Sequence, residues 1–184
     1  MPVLNWKNNM EKEKWVKFIH PDYEDGRYFI STYGNMKTKN KILSKTKLKG
    51  YLSFTTYKKD KTSWKKPVHW YMKHVFKQLN RFGDNFIDHK DMNKHNNLLS
   101  NLRISTKSQN QWNRGPNNKK NRYSKYKGVT FVTGGKRIKR WRASLSVNGI
   151  CVFCKHFSTE IEAVLEYNKQ AKIYHGEFAF INKI

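Results

Sequence analysis

The stretch Trp141-Arg142-Ala143-Ser144-Leu145-Ser146-Val147 alternates without a break, and Asn148-Gly149 follows it at once. Side chains on a strand point alternately to its two faces. Trp141, Ala143, Leu145 and Val147 therefore share one face, and Arg142, Ser144 and Ser146 the other. Asn-Gly is a strong signal for a two-residue hairpin turn, because both residues tolerate positive φ. A return strand over Ile150 to Phe157 is expected. Ser158 or Thr159 then caps a helix running to about Tyr174, with Glu160 and Glu162 in its first turn. Its apolar face is Ala163, Val164, Tyr167, Ala171 and Tyr174. Tyr126 to Phe131 reads as the first strand and Gly134-Gly135 as the turn after it. Three strands and one helix thus fill 126–182, with a polar, basic outer sheet face. Alternation puts Cys151 and Cys154 on opposite faces of the return strand, with Cys154 beside Val152 on the inner side. No second Cys pair completes a tetrahedral site, so zinc is not expected despite His156 nearby.

The rest of the chain divides by composition. Residues 114–125 hold almost no apolar side chains and read as a linker. Residues 15–57 contain the β-prone runs Trp15 to Ile19, Arg27 to Ser31 and Tyr51 to Tyr57, separated by turns. Residues 67–80 read as a helix, with Pro67 in its first turn and Val68, Tyr71, Met72, Val75, Phe76 and Leu79 at spacings of three and four. The expected boundaries are 1–66 for a β-rich N-terminal region, 67–113 for a central unit, 114–125 for the linker and 126–184 for the C-terminal module.

Charge narrows the partners. The chain has 184 residues, with 38 Lys and Arg against 13 Asp and Glu, a formal net charge of +25. The excess runs along the chain and is not a tail. A folded protein this basic repels itself unless a polyanion is near, and Lys and Arg gain by displacing counterions from nucleic acid. No long amphipathic basic helix points to a membrane surface. Met1 to Met10 has no apolar core of a secretory leader, and no stretch approaches 18 apolar residues. Two cysteines argue against a secreted disulfide scaffold. The expectation is an intracellular, cytoplasmic protein that is not secreted.

One segment carries chemistry. Phe86-Ile87 leads into Asp88-His89-Lys90-Asp91-Met92-Asn93, a polar Asn-rich loop follows, apolar residues return at Leu98-Leu99 and Leu102, and a helix can begin near Thr106. Phosphodiester hydrolysis needs a base, and His titrates near neutrality. It also needs a hard cation on oxygen ligands, for which a carboxylate serves. Neighbours on a strand face opposite ways, so Asp88 and His89 must lie at a strand end or bulge to act together. His69, in an apolar helix start, reads as structural, and His95 as a loop residue near phosphate.

With Val68-His69 upstream, and Asn96-Asn97-Leu98, Asn101-Leu102-Arg103 and Asn110 downstream, this segment resembles the phage-intron HNH homing endonucleases. Trp15, Tyr28, Ser31, Gly34 and Gly50-Tyr51 resemble the NUMOD4-like region that accompanies them. The resemblance covers roughly 15–113. It implies an α+β chain with a ββα-metal (His-Me finger) nuclease after a small antiparallel β region. It further implies His89 as general base, Asp88 and Asn110 as ligands of Mg²⁺ or Mn²⁺, and Asn101 as the structural asparagine. Met92 departs from the family's usual glycine, and a left-handed backbone there would be costly.

Residues 123–182 resemble an AP2/ERF DNA-binding domain through Tyr126-Lys127-Gly128-Val129, Trp141-Arg142-Ala143, Phe157-Ser158-Thr159, Glu162-Ala163, Gly176 and Phe180-Ile181-Asn182. That resemblance lays the sheet in the major groove, with Lys127, Thr130, Arg140, Arg142, Ser144, Ser146 and Phe153 facing DNA. Lys136, Arg137 and Lys139 add to the basic cluster. The implied protein is a monomeric, strand-nicking homing endonuclease acting on double-stranded DNA, encoded by a phage or other virus. The alternatives are a non-catalytic, sequence-specific DNA-binding regulator and an RNA-binding basic protein.

Overall fold

A computed structural model describes residues 12–79, 86–116, 123–135 and 138–184. Lys136, Arg137 and positions 117–122 of the expected linker lie outside the described residues. The chain divides into two compact units, 1–83 with 93–104, and 84–92 with 105–184.

In the first unit, β1 (Trp15–Lys17), β2 (Phe29–Ser31) and β3 (Met36–Lys37) form one antiparallel sheet. A second contains β4 (Thr46–Leu48), β5 (Tyr51–Tyr57) and β6 (Ser63–Pro67). Lys49 and Gly50 make the turn between β4 and β5, both at positive φ. Helix α1 (Val68–Val75) starts at Pro67, as expected, but stops at Phe76, and Lys77–Leu79 form a 3-10 turn. Phe18, Ile30, Met36, Phe54, Val68, Tyr71 and Met72 are its buried core. Burying polar hydroxyls there requires partners. Thr56 Oγ1 meets Tyr23 Oη at 2.8 Å and Tyr71 Oη at 2.9 Å. The Asn-rich loop is seated on the β2–β3 turn. Leu99 N donates to Thr32 O at 2.8 Å. Gly34, at φ +68, has room for no side chain, because a Cβ would lie 2.7 Å from Asn97 Cβ.

In the second unit, β9 (Val129–Phe131), β10 (Trp141–Val147) and β11 (Ile150–Phe157) form an antiparallel sheet in the order β11-β10-β9. Helix α3 (Glu160–His175) packs on it, capped by Thr159 with Glu162 completing a capping box. Tyr126, Val129, Ala143, Leu145, Ala163, Val164, Tyr167 and Ala171 make the core. Asn148 (φ 50) and Gly149 (φ 84) supply the positive-φ pair of the turn.

A β-bulge corrects the expected facing of β11. Leu145 pairs with Phe153, but Ser146 pairs with Cys151, so Val152 is the extra residue. Directly opposed residues share a face. Cys151 and Cys154, opposite Ser146 and Ser144, therefore lie together on the outer face, and both are exposed. Cys154 is not in the core. Phe153, expected on the outer face, packs with Val152 against the core instead.

The remaining elements are β7 (Phe86–His89), β8 (Leu102–Ser105) and α2 (Lys107–Asn113), with β7 and β8 forming a two-stranded sheet. The architecture is α+β with small antiparallel sheets. Among the described residues no helix is long and apolar enough to cross a membrane.

Candidate active site

Strand β7 ends at His89, and Met92 N closes the following turn onto His89 O at 2.8 Å. Asp88 and His89 lie at this strand end, and both are 5% exposed. Met92 sits at φ 62 with its side chain 47% exposed. A left-handed residue with a Cβ costs roughly 1–2 kcal/mol. Met92→Gly is expected to raise stability by about 1 kcal/mol, or about 2–4 °C in Tm, measured by thermal unfolding. An unchanged or lower Tm contradicts a strained turn.

A buried carboxylate needs hydrogen-bonding partners. Asn113, at the last turn of α2, provides them. Its Nδ2 lies 3.1 and 3.0 Å from the two carboxylate oxygens of Asp88 and 2.9 Å from His89 O. Helix α2 has only seven residues, so its ends matter. Thr106 caps it by accepting from Gln109 N, while Gln109 Oε1 accepts from Thr106 N at 2.8 Å. Asn110 precedes Asn113 by three residues on the same helix face, and it is half-buried. The residue that grips Asp88 is Asn113, which the sequence reading missed. The available signal was its i, i+3 spacing from Asn110. Asn101, in the first unit, ties the loop by donating from Nδ2 to Asn96 O at 2.8 Å. His95 is exposed, and His69 packs its ring on Tyr51 at 5.0 Å.

Among the described residues no three His, Cys, Asp or Glu side chains cluster as a metal cage. Mg²⁺ does not require one. It keeps several waters and is held through one or two carboxylates. A carboxylate such as that of Asp88 and an amide oxygen such as that of Asn110 are donor types that Mg²⁺ or Mn²⁺ accepts.

The outer face of the C-terminal sheet carries Thr130, Arg142 and His156 in one cross-strand row, then Ser144 with Cys154 and Ser146 with Cys151. Lys139, Arg140, Thr130 and Ser146 are exposed, and Arg142 and Ser144 half-buried. Cys151 lies on this face as expected, but His156 and Cys154 were not foreseen on it, because a bulge leaves no mark in alternation. Lys127 is a second correction. Its Nζ donates to Gln111 O, Trp112 O and Arg114 O at 3.1, 2.6 and 2.7 Å, so it serves the end of α2 and not the sheet face.

No family model matches the chain. Over 101 residues it is 39% identical to an uncharacterized HNH endonuclease of Acanthamoeba polyphaga mimivirus, a match covering 55% of this chain and 49% of that protein. The chain thus spans about half the length of this relative. A solved structure describing DNA binding and cleavage by the HNH homing endonuclease I-HmuI is 28% identical, with a TM-score of 0.45, covering 50% of this chain and 52% of that one. The mimivirus similarity places an HNH endonuclease among the chain's relatives over about half its length.

Proposed function

We propose that the chain is a site-specific, divalent-metal-dependent DNA endonuclease of the HNH homing type that nicks duplex DNA as a monomer. The observation carrying this reading is the pair Asp88-His89, buried together at a strand end and held by Asn113 from a capped helix. The similarity to the HNH endonuclease of mimivirus supports the same class of activity.

In this reading His89 takes a proton from water as the water oxygen attacks phosphorus. The bond from phosphorus to the 3′ oxygen breaks, leaving a 5′-phosphate and a 3′-hydroxyl. Asp88 and Asn110 would hold the cation, which when bound offsets charge developing on the phosphate. Asn113 fixes the Asp88 carboxylate, and Asn101 fixes the loop. The nuclease occupies 67–113, behind a NUMOD4-like region over 1–66. The module at 126–184 acts as an AP2/ERF-like DNA reader through Thr130, Arg140, Arg142, Ser144 and Ser146, with Lys136, Arg137 and Lys139 adding positive charge. Such an enzyme works inside a host cell and moves a mobile element.

The test is conversion of supercoiled plasmid to open circles by the intact chain. Mg²⁺ or Mn²⁺ should support it and EDTA abolish it. Binding without metal-dependent cutting leaves a DNA-binding regulator. Arg142→Ala separately tests the sheet: it should cost about 1–3 kcal/mol of base discrimination, read as raised Kd by fluorescence anisotropy at fixed salt. Unchanged affinity and site choice would remove the sheet from recognition.

A further inference from the structure

A seven-residue helix does not hold itself in place, yet the proposed site depends on Asn113 at the end of α2. What holds that end comes from beyond the intervening segment. Lys127 Nζ donates to Gln111 O, Trp112 O and Arg114 O, using all three of its N–H groups. The last carbonyls of a helix lack intrahelical donors and carry the negative end of its dipole, so an ammonium there is well matched. Burial, with Arg114 beside it, lowers the Lys127 pKa to about 8, which still leaves it charged at neutral pH.

Lys127 is itself anchored. Its N donates to Asn182 Oδ1 at 2.8 Å, and Asn182 Nδ2 returns a bond to Lys127 O at 3.1 Å. Asn182 is paired in turn with Asn168 of α3, through Asn168 Nδ2 to Asn182 O at 2.9 Å and Asn182 N to Asn168 Oδ1 at 2.8 Å. Beside this chain Trp112 of α2 stacks on His175 of α3, with centroids 4.4 Å apart and planes 4° from parallel. His175 Nε2 lies 3.2 Å from Ser146 O. Together these links run from the end of α2 to α3 and, through His175, to β10.

We propose that Lys127, seated by Asn182 and Asn168 and backed by the Trp112–His175 stack, is a positioning residue that fixes α2, and through Asn113 the Asp88 carboxylate, to the C-terminal module. Arg114 and Lys127 are then tied directly to each other. DNA seated on the sheet sets which phosphodiester reaches His89, so recognition and cut position are mechanically one. The consequence for cutting rests on the nuclease reading; the clamp itself does not.

The experiment compares Lys127→Met and Lys127→Arg with the wild-type intact chain. In Lys127→Met the amides of α2 should exchange with deuterium about tenfold faster or more, while those of α3 keep their rates. Nicking at saturating DNA should fall by about 10²-fold, with unchanged Kd and with cuts spread to neighbouring phosphodiesters. Lys127→Arg should restore a single cut position. Unaltered α2 exchange, or wild-type nicking at one position in Lys127→Met, overturns the clamp. Should Lys127→Met not fold, Trp112→Ala gives the same readings from the stack. A wild-type chain that cuts nothing sinks the nuclease reading, and the exchange rates then still decide the clamp.

Discussion

His89→Ala is expected to lower metal-dependent nicking by about 10²- to 10⁴-fold, the range that a positioned general base contributes. Binding of duplex DNA should stay at the wild-type level. Two backbone contacts that shape the site are kept in the variant. His89 O accepts from Asn113 Nδ2 at 2.9 Å and from Met92 N at 2.8 Å, and alanine keeps that carbonyl. Single-turnover nicking at saturating protein, with circular dichroism as the control for folding, separates lost chemistry from lost structure. A variant that nicks at a wild-type rate removes His89 from the reaction.

Gly128→Ala should have the largest effect on folding. Gly128 sits at φ +73, and a Cβ there would lie 2.0 and 2.3 Å from ring carbons of Tyr167 and 2.9 Å from Ser144 O. Tyr167 is 2% exposed in the centre of the C-terminal core and cannot swing aside. Ser144 O belongs to β10, and Ser144 N already donates to Gly128 O at 2.9 Å. Overpacking costs typically 1–3 kcal/mol and a left-handed alanine roughly 1–2 more, so a loss of about 2–5 kcal/mol is expected. For a small domain that is most of the available stability. Denaturant unfolding followed by tryptophan fluorescence should show the module unfolded or nearly so. Gly128→Ala with a wild-type midpoint would mean that Tyr167 does not pack where the structure has it. The neighbouring Lys127 makes the variant's nicking uninterpretable, so stability is the proper readout.

The parts legible in the sequence were those governed by local rules. Strict alternation over 141–147, Asn148-Gly149 and the Thr159–Glu162 capping pair each have one favourable local geometry, and each is found. The strand end at Asp88-His89 was one of the two geometries, strand end or bulge, that the sequence allowed for this pair. What escaped depends on distant partners. The bulge opposite Leu145 and Ser146 turns Cys154 outward and Phe153 inward, and nothing in the alternation of 150–157 announces it. Strand β6 is a Lys-rich stretch that pairs because Trp64 faces Thr56 across the sheet. Lys127 looked like one more cation on a basic surface. Its partners are carbonyls that chain geometry alone leaves without donors at the end of α2, a need visible only once that helix end is located. Asn113 escaped because its partner, the Asp88 carboxylate, lies on a strand distant in sequence.

The central claim is that Asp88, His89 and Asn110, braced by Asn113, form one cation-binding centre. Titrating Mn²⁺ into the isotope-labelled intact chain measures this directly through paramagnetic broadening of side-chain signals. The account predicts selective broadening of the Asn110 and Asn113 side-chain amides and the His89 ring at low Mn²⁺, abolished by Asp88→Asn. Broadening centred elsewhere, or unchanged by Asp88→Asn, would contradict it.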